Sequence, residues 1–90
     1  MRTRIKSRII MSVSKEICDF RVRYNLIEIN EKIGCSYTVH LLKISKSGNE
    51  EAEVVKFTND LYVAFDFFDK IVRGSVTPIS LTDIAEDYLY

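Results

Sequence analysis

The sequence has 90 residues, of which 47% are hydrophobic and 29% charged, and its acidic and basic residues balance to a net charge of zero. This length corresponds to one domain, and the apolar content excludes an intrinsically disordered chain. No apolar run approaches the roughly 20 residues of a membrane-spanning helix, and no signal-peptide pattern follows the basic N-terminus, so we expect a cytoplasmic protein that does not bind membranes.

Residues 1–16 form a basic N-terminal segment in which two kinds of side chain alternate. Basic side chains take every second position, at Arg2, Arg4, Lys6 and Arg8. Apolar side chains take the other parity, at Ile5, Ile9, Met11 and Val13. Such alternation is typical of a half-buried strand, and charges on an edge strand hinder pairing with other sheets. The segment is predicted to be an edge strand, with a flexible basic arm as the alternative.

Residues 17–90 are predicted to form a single α+β domain that begins with an antiparallel β-meander. Strands are expected near residues 18–29, 35–45 and 51–57, because apolar residues alternate there. The segments 30–34 and 46–49 are predicted to be turns, with Gly34 at a positive φ. With the N-terminal segment, the meander has three to four strands.

Apolar side chains occur on both faces of the predicted sheet. One face carries Phe20, Val22, Tyr24, Leu26, Ala52 and Val54. The other carries Ile27, Ile29, Val55 and Phe57. A sheet wetted on one side would alternate more cleanly. The C-terminal helix or the N-terminal segment of the same chain is therefore expected to cover the second face, with a second copy of the chain as the alternative.

Residues 59–73 are predicted to be the helix around which the core is organised. Its apolar stripe consists of Leu61, Ala64, Phe65, Phe68, Ile71 and Val72. Thr58 or Asn59 is expected to cap its start, and Gly74 to end it in a left-handed conformation. Tyr62 and Phe67 are expected on its flank, in contact with the C-terminal helix or a partner.

A second helix is predicted after Pro78, and both helices are expected to pack on the sheet. Ser80 is the expected N-cap, and Ile79 and Ile84 have the spacing of a hydrophobic staple. The apolar stripe is Leu81, Ile84, Ala85, Tyr88 and Leu89. A helix of barely three turns is too short to be stable unless this stripe is docked.

The segment 76–89, VTPISLTDIAEDYL, resembles the C-terminal signature of a family of short, uncharacterised bacterial proteins from clostridia and their relatives. Members of this domain family of unknown function share paired strands with a Tyr-rich segment, here YNLIE at 24–28, followed by a helix and this ending. The resemblance spans about residues 17–90 and leaves out the first ten. Members often carry His two residues after the proline, where this chain has Ser80. The resemblance therefore implies a fold and a bacterial origin but no chemistry.

No pattern in the sequence predicts catalysis, a metal site or a cofactor. His40 is the only histidine, and its place within an apolar strand favours a packed sheet residue. Cys18 and Cys35 have no metal-binding spacing and are expected to be reduced and buried. Asp83, Glu86 and Asp87 are interpreted as a solvated helix face rather than as cation ligands.

The charges are unevenly distributed along the chain. Residues 1–45 hold nine Lys/Arg and four Asp/Glu, whereas residues 46–90 hold four and nine. We interpret this asymmetry as a basic sheet edge beside acidic helices, with the steering of a partner or self-association as the alternatives.

We therefore expect a small non-catalytic accessory domain that binds an unidentified protein or a second copy of itself as a homodimer. The alternative is a nucleic-acid-binding module, in which basic residues line one sheet face and Tyr24 and Tyr37 stack on bases. The zero net charge and a pI of about 6.6 count against nucleic acid. The candidate interaction surface consists of Arg4, Lys6, Arg8, Arg21, Arg23, Tyr62 and Phe67.

Overall fold

Four antiparallel strands and two helices make up residues 6–89, the part of the chain that the computed structural model describes. The strands are β1 (Lys6–Ile17), β2 (Phe20–Asn30), β3 (Cys35–Ser45) and β4 (Gly48–Thr58). The helices α1 (Leu61–Arg73) and α2 (Pro78–Leu89) follow. The strands lie in the sheet in chain order, β1-β2-β3-β4. The predicted α+β fold, a meander followed by two helices packed on the sheet, is confirmed, and the described part of the N-terminal segment is its first strand.

Short turns produce this order. Gly34 has the predicted positive φ, +76°, and the amide of Glu31 donates to its carbonyl. The β1–β2 turn consists of Cys18 and Asp19, with Cys18 at φ +54°. The prediction that Cys18 is a buried strand residue is therefore wrong, because the side chain is exposed in the turn. Cys35 is half-buried.

Both helices pack on one face of the sheet, which we call the helix side. The buried sheet residues of the helix side are Val22, Tyr24, Leu26, Tyr37, Val39 and Leu41. They form one core with α1, α2 and Val76 of the connector, whose carbonyl accepts a 2.8 Å hydrogen bond from the Tyr24 hydroxyl. Within residues 6–89, no element packs on the opposite face, which we call the open face. Its central positions are Ser12, Arg23, Asn25, His40, Leu42 and Glu51. The prediction that the chain's own elements cover this second face is therefore wrong for the described residues.

Two β-bulges change which side chains face the core. In β1, the pairing shifts between Ile9 and Met11, so that Ile9 lies on the open face opposite Ile27 and Met11 on the helix side opposite Leu26. In β4, the pairing shifts after Val54, and Lys56 takes a φ of +49°. The prediction that Ile9 and Met11 lie on the same face of the sheet is therefore wrong. The prediction that Phe57 and Val54 lie on different faces is also wrong. The β1 bulge adds one residue and so reverses the parity beyond it. In β4, three residues separate Val54 from Thr58 where only Thr38 separates their partners, and within this irregular stretch the ring of Phe57 faces the core and contacts Phe67.

The N-cap and the buried face of α1 both differ from the predictions. Asp60, not Thr58 or Asn59, is the N-cap, and its carboxylate accepts hydrogen bonds from the amides of Tyr62 and Val63. Phe67 is completely buried, so its assignment to an exposed interaction surface is wrong. Its ring lies between β4 and α2, where it contacts the rings of Phe57 and Tyr88. The predicted contact of Phe67 with the C-terminal helix is nevertheless present.

The C-terminal end of α1 is a Schellman motif. The amide of Ser75 donates to Val72, and the amide of Val76 donates to Ile71. The residue with left-handed backbone is Ser75, at φ +51°, whereas Gly74 has a right-handed φ of −78°. The predicted left-handed role of Gly74 is therefore wrong by one position.

Helix α2 starts at Pro78, three residues before the start at Leu81 that a cap at Ser80 predicts. Pro78 occupies its first position, where the missing amide hydrogen costs nothing. Ser80 therefore lies within the first turn rather than at the cap, and Ile79 is 77% exposed and forms no staple. The predicted stripe is docked: Leu81 and Ala85 are buried, and Ile84, Tyr88 and Leu89 pack against the core. The Tyr88 hydroxyl also donates to the Asp66 carboxylate of α1.

Candidate functional site

Strand β1 forms one edge of the sheet. It pairs with β2 on one side, and no described strand pairs with its other side. Alternate residues of an edge strand direct their amide and carbonyl groups away from the sheet, where they form a template for another strand. The bulge at Ile10 and the charges of Lys6 and Arg8 interrupt the first half of this edge. The regular half of the β1 edge is therefore the segment 11–17.

An apolar groove runs along this same half of β1, between the strand and α1. It has a volume of about 470 Å³. The residues that line it are Met11 and Val13 of β1 and Phe65, Phe68, Asp69 and Val72 of α1. Met11 and Phe65 expose 38% and 37% of their surfaces, large fractions for apolar side chains in a packed domain. The groove exists because α1 lies mainly over β2, β3 and β4, so that the helix side of β1 is only partly covered.

A lysine connects the two walls of the groove beyond Val13. The ammonium group of Lys15 donates hydrogen bonds to the carbonyl of Val72 and to the hydroxyl of Ser75, each 2.8 Å long. These acceptors lie at the negative end of the α1 dipole, where a cation is stabilised. Lys15 therefore holds the C-terminal end of α1 against β1, and the groove extends from there towards Phe65.

A row of polar side chains crosses the open face from β1 to β4. The Ser12 hydroxyl donates to Asn25 over 2.8 Å, and the amide of Asn25 lies 3.4 Å from Nδ1 of His40. Nε2 of His40 lies 3.3 Å from the Glu51 carboxylate. A histidine oriented by a carboxylate resembles half of a catalytic arrangement. However, the group on its other nitrogen is an amide rather than a nucleophile, because the hydroxyl of Ser12 bonds to Asn25.

The basic residues of the predicted interaction surface do not share one face. Arg4 lies outside the described residues. The β1 bulge places Arg8 on the helix side opposite Glu28, with which it forms an ion pair of 3.1 Å. Arg21 and Arg23 lie on the open face near the other end of β2, and Arg21 pairs with Glu16 over 2.8 Å. Lys6 and Arg8 are thus separated from Arg21 and Arg23 by both face and distance along the strand, and the predicted basic sheet face is not formed.

The aromatic residues of the predicted surface differ in exposure. Tyr62 is 84% exposed on the first turn of α1 and remains available to a partner. Phe67 belongs to the core, as described above. Tyr24 and Tyr37, expected to stack on bases in the nucleic-acid alternative, are both buried on the helix side. That part of the alternative is wrong.

The groove was not found by sequence reasoning. Met11, Val13, Phe65, Phe68 and Val72 were each assigned to an apolar stripe, because periodicity identifies apolar arcs without showing which part of an arc stays uncovered. Two facts contained a signal: the apolar stripe of α1 is wider than one contact requires, and β1 was predicted at the edge. Together they indicate surplus apolar surface beside an unpaired strand.

The described residues contain no group of three or more His, Cys, Asp or Glu side chains placed to hold a metal ion. The two helices of residues 6–89 are too short and too polar to cross a membrane. Neither finding identifies an activity.

Comparison with known proteins identifies a family. Neither the curated proteins nor the solved structures gave a significant match. A family profile described as "Family of unknown function (DUF6514)" matches residues 5–90. The match begins well before residue 17, so the expectation that the first ten residues lie outside the family is wrong for residues 5–10, and β1 is included in full. Because the match extends over nearly the whole sequence, the chain belongs to this family of unknown function.

Proposed function

We propose that this chain is a non-catalytic protein-interaction domain that binds an extended segment of a partner along β1. The observation that carries the proposal is the unpaired edge of β1 beside the apolar groove. In β-strand addition, main-chain hydrogen bonds supply affinity and a neighbouring pocket selects alternate side chains. Both parts are present within the same segment, 11–17.

The expected ligand is short and has alternating apolar side chains. Successive residues of a strand point to opposite sides, so every second side chain of an added strand enters the groove. The groove lining is apolar except for Asp69, whose carboxylate already pairs with Arg73 over 3.0 Å. Two or three such side chains fit beside the regular edge of β1, because residues on one side of a strand repeat at about 6.6 Å.

The contacts of His40 support a non-catalytic role in this proposal. A general base needs a nucleophile or a substrate proton within hydrogen-bond reach. In this protein Asn25 occupies one ring nitrogen and Glu51 the other. The row Ser12–Asn25–His40–Glu51 therefore acts in our proposal as a structural polar network between strands.

The nucleic-acid alternative has less support. It requires a continuous basic surface and exposed aromatic rings, but the basic residues are divided between two faces and Tyr24 and Tyr37 are buried. We expect no binding of generic single-stranded DNA or RNA at low salt. Binding whose logarithmic affinity falls linearly with the logarithm of salt concentration would restore this alternative.

We also infer a bacterial, cytoplasmic setting. The bacterial origin is based on the resemblance of residues 76–89 described above. The two cysteines, Cys18 and Cys35, are not joined to each other, and free thiols are typical of a reducing compartment.

Selection from a peptide library tests the proposed function. Random peptides of about seven residues, displayed on phage, are selected against the purified domain. We expect enriched sequences with apolar residues at alternate positions. When such a peptide binds, the outward-facing amides at alternate residues of the segment 11–17 should gain protection from hydrogen exchange. N-methylation of alternate peptide amides should abolish binding, because it removes the main-chain donors.

Two variants on the same helix locate the site. Phe65→Asp places a charge in the groove at a partly exposed position and should abolish peptide binding, whereas Tyr62→Asp, outside the groove, should not. Thermal melts establish that both variants are folded. Equal binding to the two folded variants, or enrichment without a period of two, would contradict the proposal.

A further inference from the structure

We propose that the open face of the sheet packs on the open face of a second copy of the chain, in a symmetric dimer whose twofold axis runs along β3. This inference does not depend on the peptide-binding groove, which lies on the other side of the sheet. It is based on two charges of opposite sign at one level of the open face, where a level means the residues that lie opposite one another across neighbouring strands.

The two charges flank an apolar residue. Arg23 of β2 lies directly opposite Leu42 of β3, and Leu42 lies directly opposite Glu51 of β4. Arg23 is exposed, and the side chain of Glu51 is 65% exposed. Within residues 6–89, no Asp or Glu forms an ion pair with Arg23. The level therefore reads positive, apolar, negative across three adjacent strands.

A twofold axis along β3 makes this level complementary to itself. Rotation by 180° about an axis parallel to the strands keeps each level at the same height and exchanges the positions of β2 and β4. Arg23 of one copy then faces Glu51 of the other, twice over, and Leu42 packs on Leu42 at the axis. An isologous interface of this kind is the commonest arrangement of homodimers.

The other simple face-to-face packing is disfavoured by the same charges. A twofold axis across the strands brings β2 over β2 and β4 over β4. The basic residues Arg21 and Arg23 of β2 then face the same basic residues of the second copy. The acidic residues Glu51 and Glu53 of β4 likewise face the same acidic residues. Like charges facing each other in an interface repel and oppose association. The charge columns therefore select the axis along the strands.

The apolar content of the open face fits a partner rather than water. On the three overlapping strands, Val55 is 55% exposed and Ile44 is 38% exposed. Ile44 pairs with Arg21 of the open face, and Val55 directly follows Val54 of the helix side. Ile44 and Val55 flank the charged pairs with surface that gains free energy when it leaves water.

The available area predicts a weak dimer. Three overlapping strands about 4.8 Å apart and about 11 residues long at roughly 3.3 Å per residue give a footprint on the order of 500 Å² per copy. The total of about 1,000 Å² is near the lower limit for a specific interface. We therefore expect association at micromolar concentrations, with electrostatic complementarity fixing the orientation.

Charge reversal with exchange of partners tests the inference. Sedimentation equilibrium of the wild type should show a monomer–dimer equilibrium. Arg23→Glu alone and Glu51→Arg alone should each weaken dimerisation at least about tenfold, because each turns two attractive contacts into repulsive ones. An equimolar mixture of the two variants should form a heterodimer, since every acid introduced at position 23 then faces a base introduced at position 51.

Controls separate the interface from folding and from net charge. The double variant R23E/E51R should dimerise with itself, and thermal melts check the fold of each variant. Lys32→Glu in the β2–β3 turn and Glu86→Arg on α2 reverse exposed charges away from the open face and should leave dimerisation unchanged. A monomeric wild type at high micromolar concentration, single variants that dimerise like the wild type, or a mixture that stays monomeric would each overturn the inference.

Discussion

Phe67 of α1 is the residue whose side chain connects α1 with both β4 and α2. Its ring centroid lies 5.1 Å from that of Phe57 in β4 and 5.3 Å from that of Tyr88 in α2. Such aromatic pairs contribute beyond the area that they bury. The ring of Tyr88 also lies beneath the ammonium of Lys70, at 4.5 Å. Loss of Phe67 therefore affects the docking of α2 as well as the core.

We predict that Phe67→Ala destabilises the domain by about 3–5 kcal/mol, the usual cost of removing a buried aromatic ring. This is comparable with the whole stability of a domain of this size. Phe68→Ala, also in the core, should cost a similar amount, whereas Phe65→Ala, at a 37% exposed residue, should cost much less. Urea melts measure the three free energies of unfolding. A loss for Phe65→Ala as large as that for Phe67→Ala would contradict the orientation of α1 described above.

The orientation of α1 could not be predicted from its own sequence. At about 100° per residue, the apolar positions from Phe67 round to Phe65 cover an arc of roughly 160°, wider than one contact surface. Any part of this arc satisfies the periodicity. Helix α2 decides the matter by covering the Phe67 flank, and the opposite part of the arc, at Phe65, is left to line the groove. Such a choice depends on contacts distant in sequence.

At the scale of elements, the two turns after β2 and β3 were predictable, whereas the β1–β2 turn and the bulges were not. The bounds of β3 and the positive φ of Gly34 follow from local residue types, because turn chemistry acts within a few residues. The bulge at Lys56 depends on its partner strand: the Thr38 hydroxyl accepts a 2.9 Å hydrogen bond from the Lys56 amide. No signal within β4 indicates that bond. The bulges also carried the errors in the site, since the β1 bulge separates Arg8 from Arg23.

The start of α1 gives a prediction at this scale. Asp60→Ala should cost about 1 kcal/mol, within the usual range for loss of an N-cap, because the amides of Tyr62 and Val63 lose their acceptor. Asn59→Ala is the matched control, since Asn59 is exposed and does not cap the helix. Urea melts measure both. A larger loss for Asn59→Ala would indicate that the helix starts one residue earlier.

At the scale of the whole molecule, the uneven charge along the chain becomes a pattern in space. Arg21 and Arg23 come from the basic first half and Glu51 and Glu53 from the acidic second half. The meander places β2 and β4 on either side of β3, so the two halves supply opposite columns of the open face. The difference in net charge between the two halves of the chain therefore becomes a basic side, at β2, and an acidic side, at β4, of the open face. The proposed dimer is based on this polarity.

Three tyrosines, two in the core and one packed against it, have ionisations that oppose folding. Burial raises the pKa of Tyr24. The pKa of Tyr37 is raised from an ordinary value of 10.0 to about 12, mainly by the hydrogen bond between the Tyr37 hydroxyl and the Cys35 thiol and, to a smaller extent, by burial. The hydrogen bond to the Asp66 carboxylate likewise raises the pKa of Tyr88. All three shifts favour the protonated form in the folded protein.

We therefore predict that the free energy of unfolding falls between about pH 10 and pH 12. Below the ordinary pKa, both the folded and the unfolded chain hold these protons and no stability is lost. Above it, the unfolded chain releases protons that the folded chain retains, so rising pH favours unfolding until the folded-state pKa is passed. Because lysines titrate in the same range, the test compares variants in urea melts at about pH 8 and about pH 11. Tyr37→Phe should lose less stability than the wild type between these two values, because it lacks the hydroxyl whose ionisation the folded protein resists. Identical losses for Tyr37→Phe and the wild type would mean that Tyr37 does not resist ionisation in the folded protein.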